Sequence, residues 1–182
     1  MLTTILITII LLGVAHIFVS RRLHFEESVI IDQSIDSTWY VLGEQFTEAH
    51  LWATNFISSE PGGQPKLEGL DFLPRRTTTS NGENWQELDV YDPDKYNLEY
   101  HIAKGAPPIA RKAYGKWKLE SVDETTTKLN VSFTLVTKGL PGFLMSPIVN
   151  SKVGKASTEI VEEFKYYVEN GEPHARKMAA AK

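Results

Sequence analysis

Between residues 146 and 170, Val149, Val153, Ala156, Ile160, Phe164 and Tyr167 recur at spacings of four and three. At ~100° per residue that puts them on one apolar stripe, with Val161 and Val168 beside it. The segment therefore predicts a long amphipathic helix, stable only if another element covers the stripe. Ser146 offers a side-chain oxygen to the free amides of the first turn, and Pro147 suits the first helical position, where no N–H is needed. Gly171 suits a left-handed exit. Lys152, Lys155, Glu159, Glu162 and Glu163 form the opposite, solvated face.

What precedes this helix reads mostly as strand. Residues 23–31 are rich in β-branched and aromatic side chains, and Asp36, Ser37 and Thr38 then open one or two short helices holding Trp39, Val41, Leu42 and Phe46. A second strand is expected over 52–58, before Pro61, Gly62, Gly63 and Pro65 break the pattern. Asn81 and Gly82 form a strong hairpin signal joining strands 75–80 and 85–91, and Asp92, Pro93 and Asp94 turn the chain into 96–102. A loop over 104–112 leads to strands 114–122 and 128–137. In the last of these, Leu129, Val131, Phe133 and Leu135 alternate with polar residues. This order predicts an α+β fold, a curved antiparallel sheet wrapped around the long C-terminal helix. Space left between sheet and helix would be an apolar cavity, the default setting for a small-molecule site.

Composition narrows the chemistry. A formal net charge of -4 gives no basic surface of the kind nucleic acid requires. Without cysteine there is no disulfide, thiolate metal site or cysteine nucleophile. His16, His24, His50, His101 and His174 lack metal-ligand spacing, and no phosphate-binding glycine loop or serine elbow is present. No metal and no cofactor are expected. Asp92 and Asp94 read as turn chemistry, and Arg75 and Arg76 as a solvated strand.

Residues 1–20 carry no charged side chain, and 2–19 are apolar but for Thr3, Thr4, Thr8, Gly13 and His16. As a helix this stretch would span roughly 27 Å, close to the hydrocarbon thickness of a bilayer. It predicts a single-pass transmembrane anchor. The rival is a signal peptide cut after Ala15, which would ordinarily have Lys or Arg ahead of the apolar run, and there is none. Arg21 and Arg22 follow at once, so the positive-inside bias puts the remaining chain on the cytoplasmic side. The expected organisation is an anchor over 1–20, one domain over 21–171 and a flexible, frayed tail over 172–182.

The succession of Trp39, then Gly82, Trp85, Gln86, Glu87, Leu88, Tyr91, Asp92 and Pro93, then Leu98 to Ile102, then Gly115 to Leu119 ahead of a long strand and C-terminal helix resembles the START-like, Bet v 1-like superfamily. Within it the chain is most similar to the polyketide cyclase/dehydrase and lipid transport proteins, over roughly residues 24–170. The resemblance implies a helix-grip fold that binds lipids, hormones or other hydrophobic molecules, with cyclisation or dehydration in some members. It implies inward-facing Gln86, Leu88 and Val90 on one strand, Leu98, Tyr100 and Ile102 on the next, then Trp117, Leu119, Phe133 and Leu135. The helix adds Val153, Ser157, Ile160 and Phe164. Strand alternation supports the same faces, since Glu87, Asp89, Asn97, Glu99 and His101 fall opposite. Gln86 stands where many such relatives carry glutamate. No catalytic residue is assigned; Tyr100 and Gln86 come first should turnover occur. Three functions follow: a membrane-anchored carrier of a hydrophobic or lipid-like molecule, a cyclase or dehydratase, and a tethered interaction module.

Overall fold

The computed structural model describes residues 19–70 and 72–180, so all but the last two residues of the expected anchor lie outside it. Among the described residues no helix is long and apolar enough to cross a membrane.

Seven antiparallel strands form one sheet in the order β1-β7-β6-β5-β4-β3-β2. They are β1 (Arg22–Ile31), β2 (Ser58–Pro61), β3 (Arg75–Thr79), β4 (Gly82–Asp92), β5 (Asn97–Lys104), β6 (Ala110–Ser121) and β7 (Thr127–Thr137). Helix α1 (Ile35–Trp39) runs into a π turn (Tyr40–Glu44) and a 3-10 turn (Phe46–Leu51); α2 (Gly139–Leu144), α3 (Ser146–Asn170) and α4 (Ala175–Ala180) follow β7. The long helix α3 lies against the sheet, with Ile160, Val161 and Phe164 buried, as its apolar stripe requires. The second strand is Ser58–Pro61. The stretch expected to form it instead buries Trp52, Ala53 and Phe56 in turns under the sheet.

Three expectations for the C-terminal region are corrected. Ser146 is the first residue of α3 rather than its cap, because α2 runs directly into α3 through Met145, whose carbonyl receives the Val149 N–H. The Ser146 hydroxyl instead accepts from the Arg21 guanidinium at 3.2 Å. Glu163, placed by pattern on the solvated face, is buried and accepts from the Thr54 N–H and hydroxyl, both at 2.8 Å, and from Arg176 Nε at 3.0 Å. Part of the tail expected to fray is α4, which Arg176 ties to Glu163 and Lys177 ties to the Phe56 carbonyl. A buried carboxylate needs such donors, and the tail supplies one of them. Arg176→Ala is therefore expected to cost about 1–2 kcal/mol, since the Arg176 end of the pair is partly solvated. Thermal unfolding and proteolysis at 172–180 would register the change.

Candidate functional site

The sheet and α3 enclose packed core at one end and open space at the other. At the packed end Phe164 stacks edge-on against Trp52 and Trp117, with ring centroids 5.1 and 5.5 Å away, and Leu88, Leu98 and Leu119 fill in around them. At the other end a cavity of about 400 Å³ lies between β4–β7, the β3–β4 turn and the first half of α3. Gln86, Tyr100, Ile102, Phe133 and Leu135 line it from the strands, and Val153, Ser157 and Ile160 from α3. Leu88, Leu98, Trp117 and Phe164 do not; they belong to the packed end.

Val90 is a correction. The register of β4 against β5 slips between Leu88 and Val90, so Val90 pairs with Glu99 and Tyr91 with Leu98. The bulge moves Val90 to the outer face and turns Tyr91 inward against Trp39, 5.4 Å between centroids. Simple alternation carried across a bulge assigns every later residue to the wrong side.

Arg75 is the larger correction. It is buried, not solvated, and its guanidinium lies 4.0 Å from the centre of the Phe46 ring and 5.7 Å from that of Tyr100. Its acceptors are neutral: the Phe46 carbonyl at 2.7 Å and the Gln86 side-chain oxygen, reached by both Nε, at 3.2 Å, and an Nη. Burial pushes this guanidinium down to about 10, which leaves it charged at neutral pH. Arg76, its neighbour, points outward to Glu60.

A guanidinium can only donate, so it fixes which way the Gln86 amide faces. With Oε1 held by Arg75, Nε2 turns away and donates to Asn84 Oδ1 at 3.1 Å, which also accepts from the Thr77 hydroxyl at 2.8 Å. Asn84 itself lines the cavity, its Oδ1 engaged by these two donors. The relay from Arg75 through Gln86 to Asn84 gives the cavity a polar pole among apolar walls, with Gln86 and Asn84 at its surface and Arg75 behind them. Arg75, Thr77 and Asn84 were missed by sequence reasoning. The Asn81-Gly82 turn held the signal, because the hairpin it sets pairs Arg75 with Gln86 on one face.

Tyr100 forms the floor, and burial pushes its phenol up from the ordinary value, so it stays protonated near neutral pH. Gly115 lies directly beneath it: a Cβ there would stand 2.5 Å from the Tyr100 ring. Gly115→Ala is expected to displace the ring and cost about 1–3 kcal/mol. Denaturant unfolding measures that loss, and probe binding to the same variant should weaken with it.

No family model matches this chain, and no curated protein matches it by sequence. Solved structures do match. A START superfamily protein from Mycobacterium smegmatis superposes with a TM-score of 0.63 at 14% identity, covering 80% of this chain and 97% of that one. The Zhui aromatase/cyclase from a Streptomyces species does so with a TM-score of 0.62 at 17% identity, covering 85% of this chain and 100% of that chain. Ara h 8.0201 gives 0.59 at 25% identity, covering 81% and 98%. The fold is the START-like, Bet v 1-like helix grip. In this helix grip the cavity occupies the end of the sheet where the β3–β4 turn and the β5–β6 loop meet the start of α3. Tyr100, Phe56 and Ile160 form the partition between cavity and packed core.

Proposed function

We propose that this chain binds a hydrophobic small molecule carrying a hydrogen-bond acceptor, such as a carbonyl or carboxylate, and holds it beside a membrane. The observation that carries the reading is the apolar cavity with the Arg75–Gln86–Asn84 relay at its wall. Apolar lining supplies affinity, while the donors select a ligand that can accept. The anchor expected over residues 1–20 would keep the domain at the bilayer, on its cytoplasmic side, where such ligands concentrate.

An aromatase/cyclase shares the fold, yet the lining favours a carrier over a catalyst. Among the described residues the cavity wall offers no carboxylate and no histidine, and its tyrosine at the floor is held protonated. Acid–base turnover needs a group that can take a proton at working pH.

Titrating the purified protein with ANS, and then competing with a long-chain carboxylic acid and the matched hydrocarbon, tests the reading. Saturable binding of one probe per chain, displaced by the acid more readily than by the hydrocarbon, is expected. Absence of saturable binding would overturn it. The anchor is tested separately by fractionation: the full chain should stay with membranes through an alkaline wash, and release by the wash would remove that part.

A further inference from the structure

Helix α2 is built inside out. Its buried residues are Gly139 and Gly142, and the latter packs so closely that a Cβ would meet the Ile109 carbonyl at 2.9 Å. The large apolar side chains point to solvent instead: Phe143 at 42% exposure, Leu144 at 66%, Met145 at 42% and, in the first turn of α3, Ile148 at 58%. A soluble surface seldom gathers such residues without a partner.

Three further features share this end of the molecule. The first is the cavity mouth, whose β5–β6 rim is bonded to the start of α2 by Lys138 N–H to the Ile109 carbonyl at 2.7 Å. The second is the point where the chain leaves residues 2–19: the Arg21 carbonyl receives the Thr137 N–H at 2.8 Å, two residues before α2 begins. The third is charge. Arg22 and Lys112 both pair with Val136 at the end of β7, and Lys138 and Lys152 flank the apolar residues. No Asp or Glu occurs between Glu124 and Glu159, or between Glu99 and Glu120; Glu83 lies across the mouth. A chain of net charge -4 thus keeps Lys138 and Lys152 beside the exposed apolar helix, with Arg22 and Lys112 on the outer face of the adjoining sheet edge, where Asp89 and Glu99 line the same surface as Arg22.

We infer that α2 and the first turn of α3 dock into the interface of a bilayer containing anionic lipid, setting the cavity mouth on the membrane. Apolar side chains flanked by Lys138 and Lys152 match an acyl boundary beneath anionic headgroups. The chain's exit toward its apolar N-terminal segment at the same end gives the surface that orientation. This rests on the membrane-carrier reading and adds the face through which ligand passes.

Since the chain has no cysteine, one can be introduced cleanly. Full-length protein carrying Leu144→Cys or Ile148→Cys, labelled with the fluorophore NBD, is reconstituted into vesicles of phosphatidylcholine with phosphatidylglycerol; Glu124→Cys in the β6–β7 turn is the distal control. Docking predicts blue-shifted emission at 144 and 148, quenched by nitroxides on the acyl chains, with water-like emission at 124. It also predicts loss of that quenching when Lys138→Glu and Lys152→Glu are combined. Water-like emission at 144 and 148 in protein that floats with the vesicles would overturn the docking and leave the anchor standing. Shielded emission beyond reach of the nitroxides would overturn it too, since the surface would then be covered by residues 2–18 or a second copy. ANS titration of the same labelled proteins in detergent reads the cavity independently.

Discussion

Gln86→Leu is expected to cost about 2–4 kcal/mol and lower Tm by roughly 5–15 °C, a large effect for a change that conserves volume. The reason lies in Arg75. Its guanidinium is buried and charged, and the Gln86 oxygen is one of its two acceptors. Removing that oxygen leaves a cation short of a partner where water cannot replace it. Adding Arg75→Met should recover most of the loss, because taking out both members removes the stranded charge as well. A double-mutant cycle by denaturant unfolding measures the coupling directly. Near-additive losses would mean that Gln86 is not what holds the charge. The recovered double variant should still bind an acceptor-bearing ligand ~10- to 100-fold more weakly, since the cavity wall loses the Gln86 amide and Asn84 keeps only the Thr77 hydroxyl as a partner. Stability and binding would separate, as they do where a protein keeps a costly group for function.

Ala156→Trp should abolish probe binding while leaving stability within about 1 kcal/mol of the parent. Ala156 faces the cavity from α3, and an indole there enters existing space rather than close-packed core. Retained saturable binding would place the ligand elsewhere. A large fall in Tm would mean that the space closes in solution.

Much of this was legible in the sequence. The helix was written in its spacing of four and three, the meander in its turn residues, and the cavity wall in the alternation of β4, β5 and β7. What resisted reading has physical causes. The bulge near Asp89 inserts one residue and inverts the facing of Val90 and Tyr91, and nothing in local composition marks it. Two adjacent arginines in a threonine-rich strand look solvated until the hairpin register sets Arg75 opposite Gln86. Glu163 sits on the edge of the stripe, and its burial depends on Thr54 and Arg176, which are remote in sequence. Division of the sheet interior into packed end and empty end is a matter of volume, and pattern is blind to volume. The cations beside the exposed helix, Lys138 and Lys152, are hidden in a net charge of the opposite sign.

The central claim is that the helix grip is a container with a polar pole. Native mass spectrometry of the full-length protein, released gently from detergent and followed by organic extraction, tests it most directly. The account predicts one apolar molecule per chain bearing a carbonyl or carboxylate, present in the parent and absent from Ala156→Trp. Parent protein that emerges empty and also fails to bind ANS would contradict it.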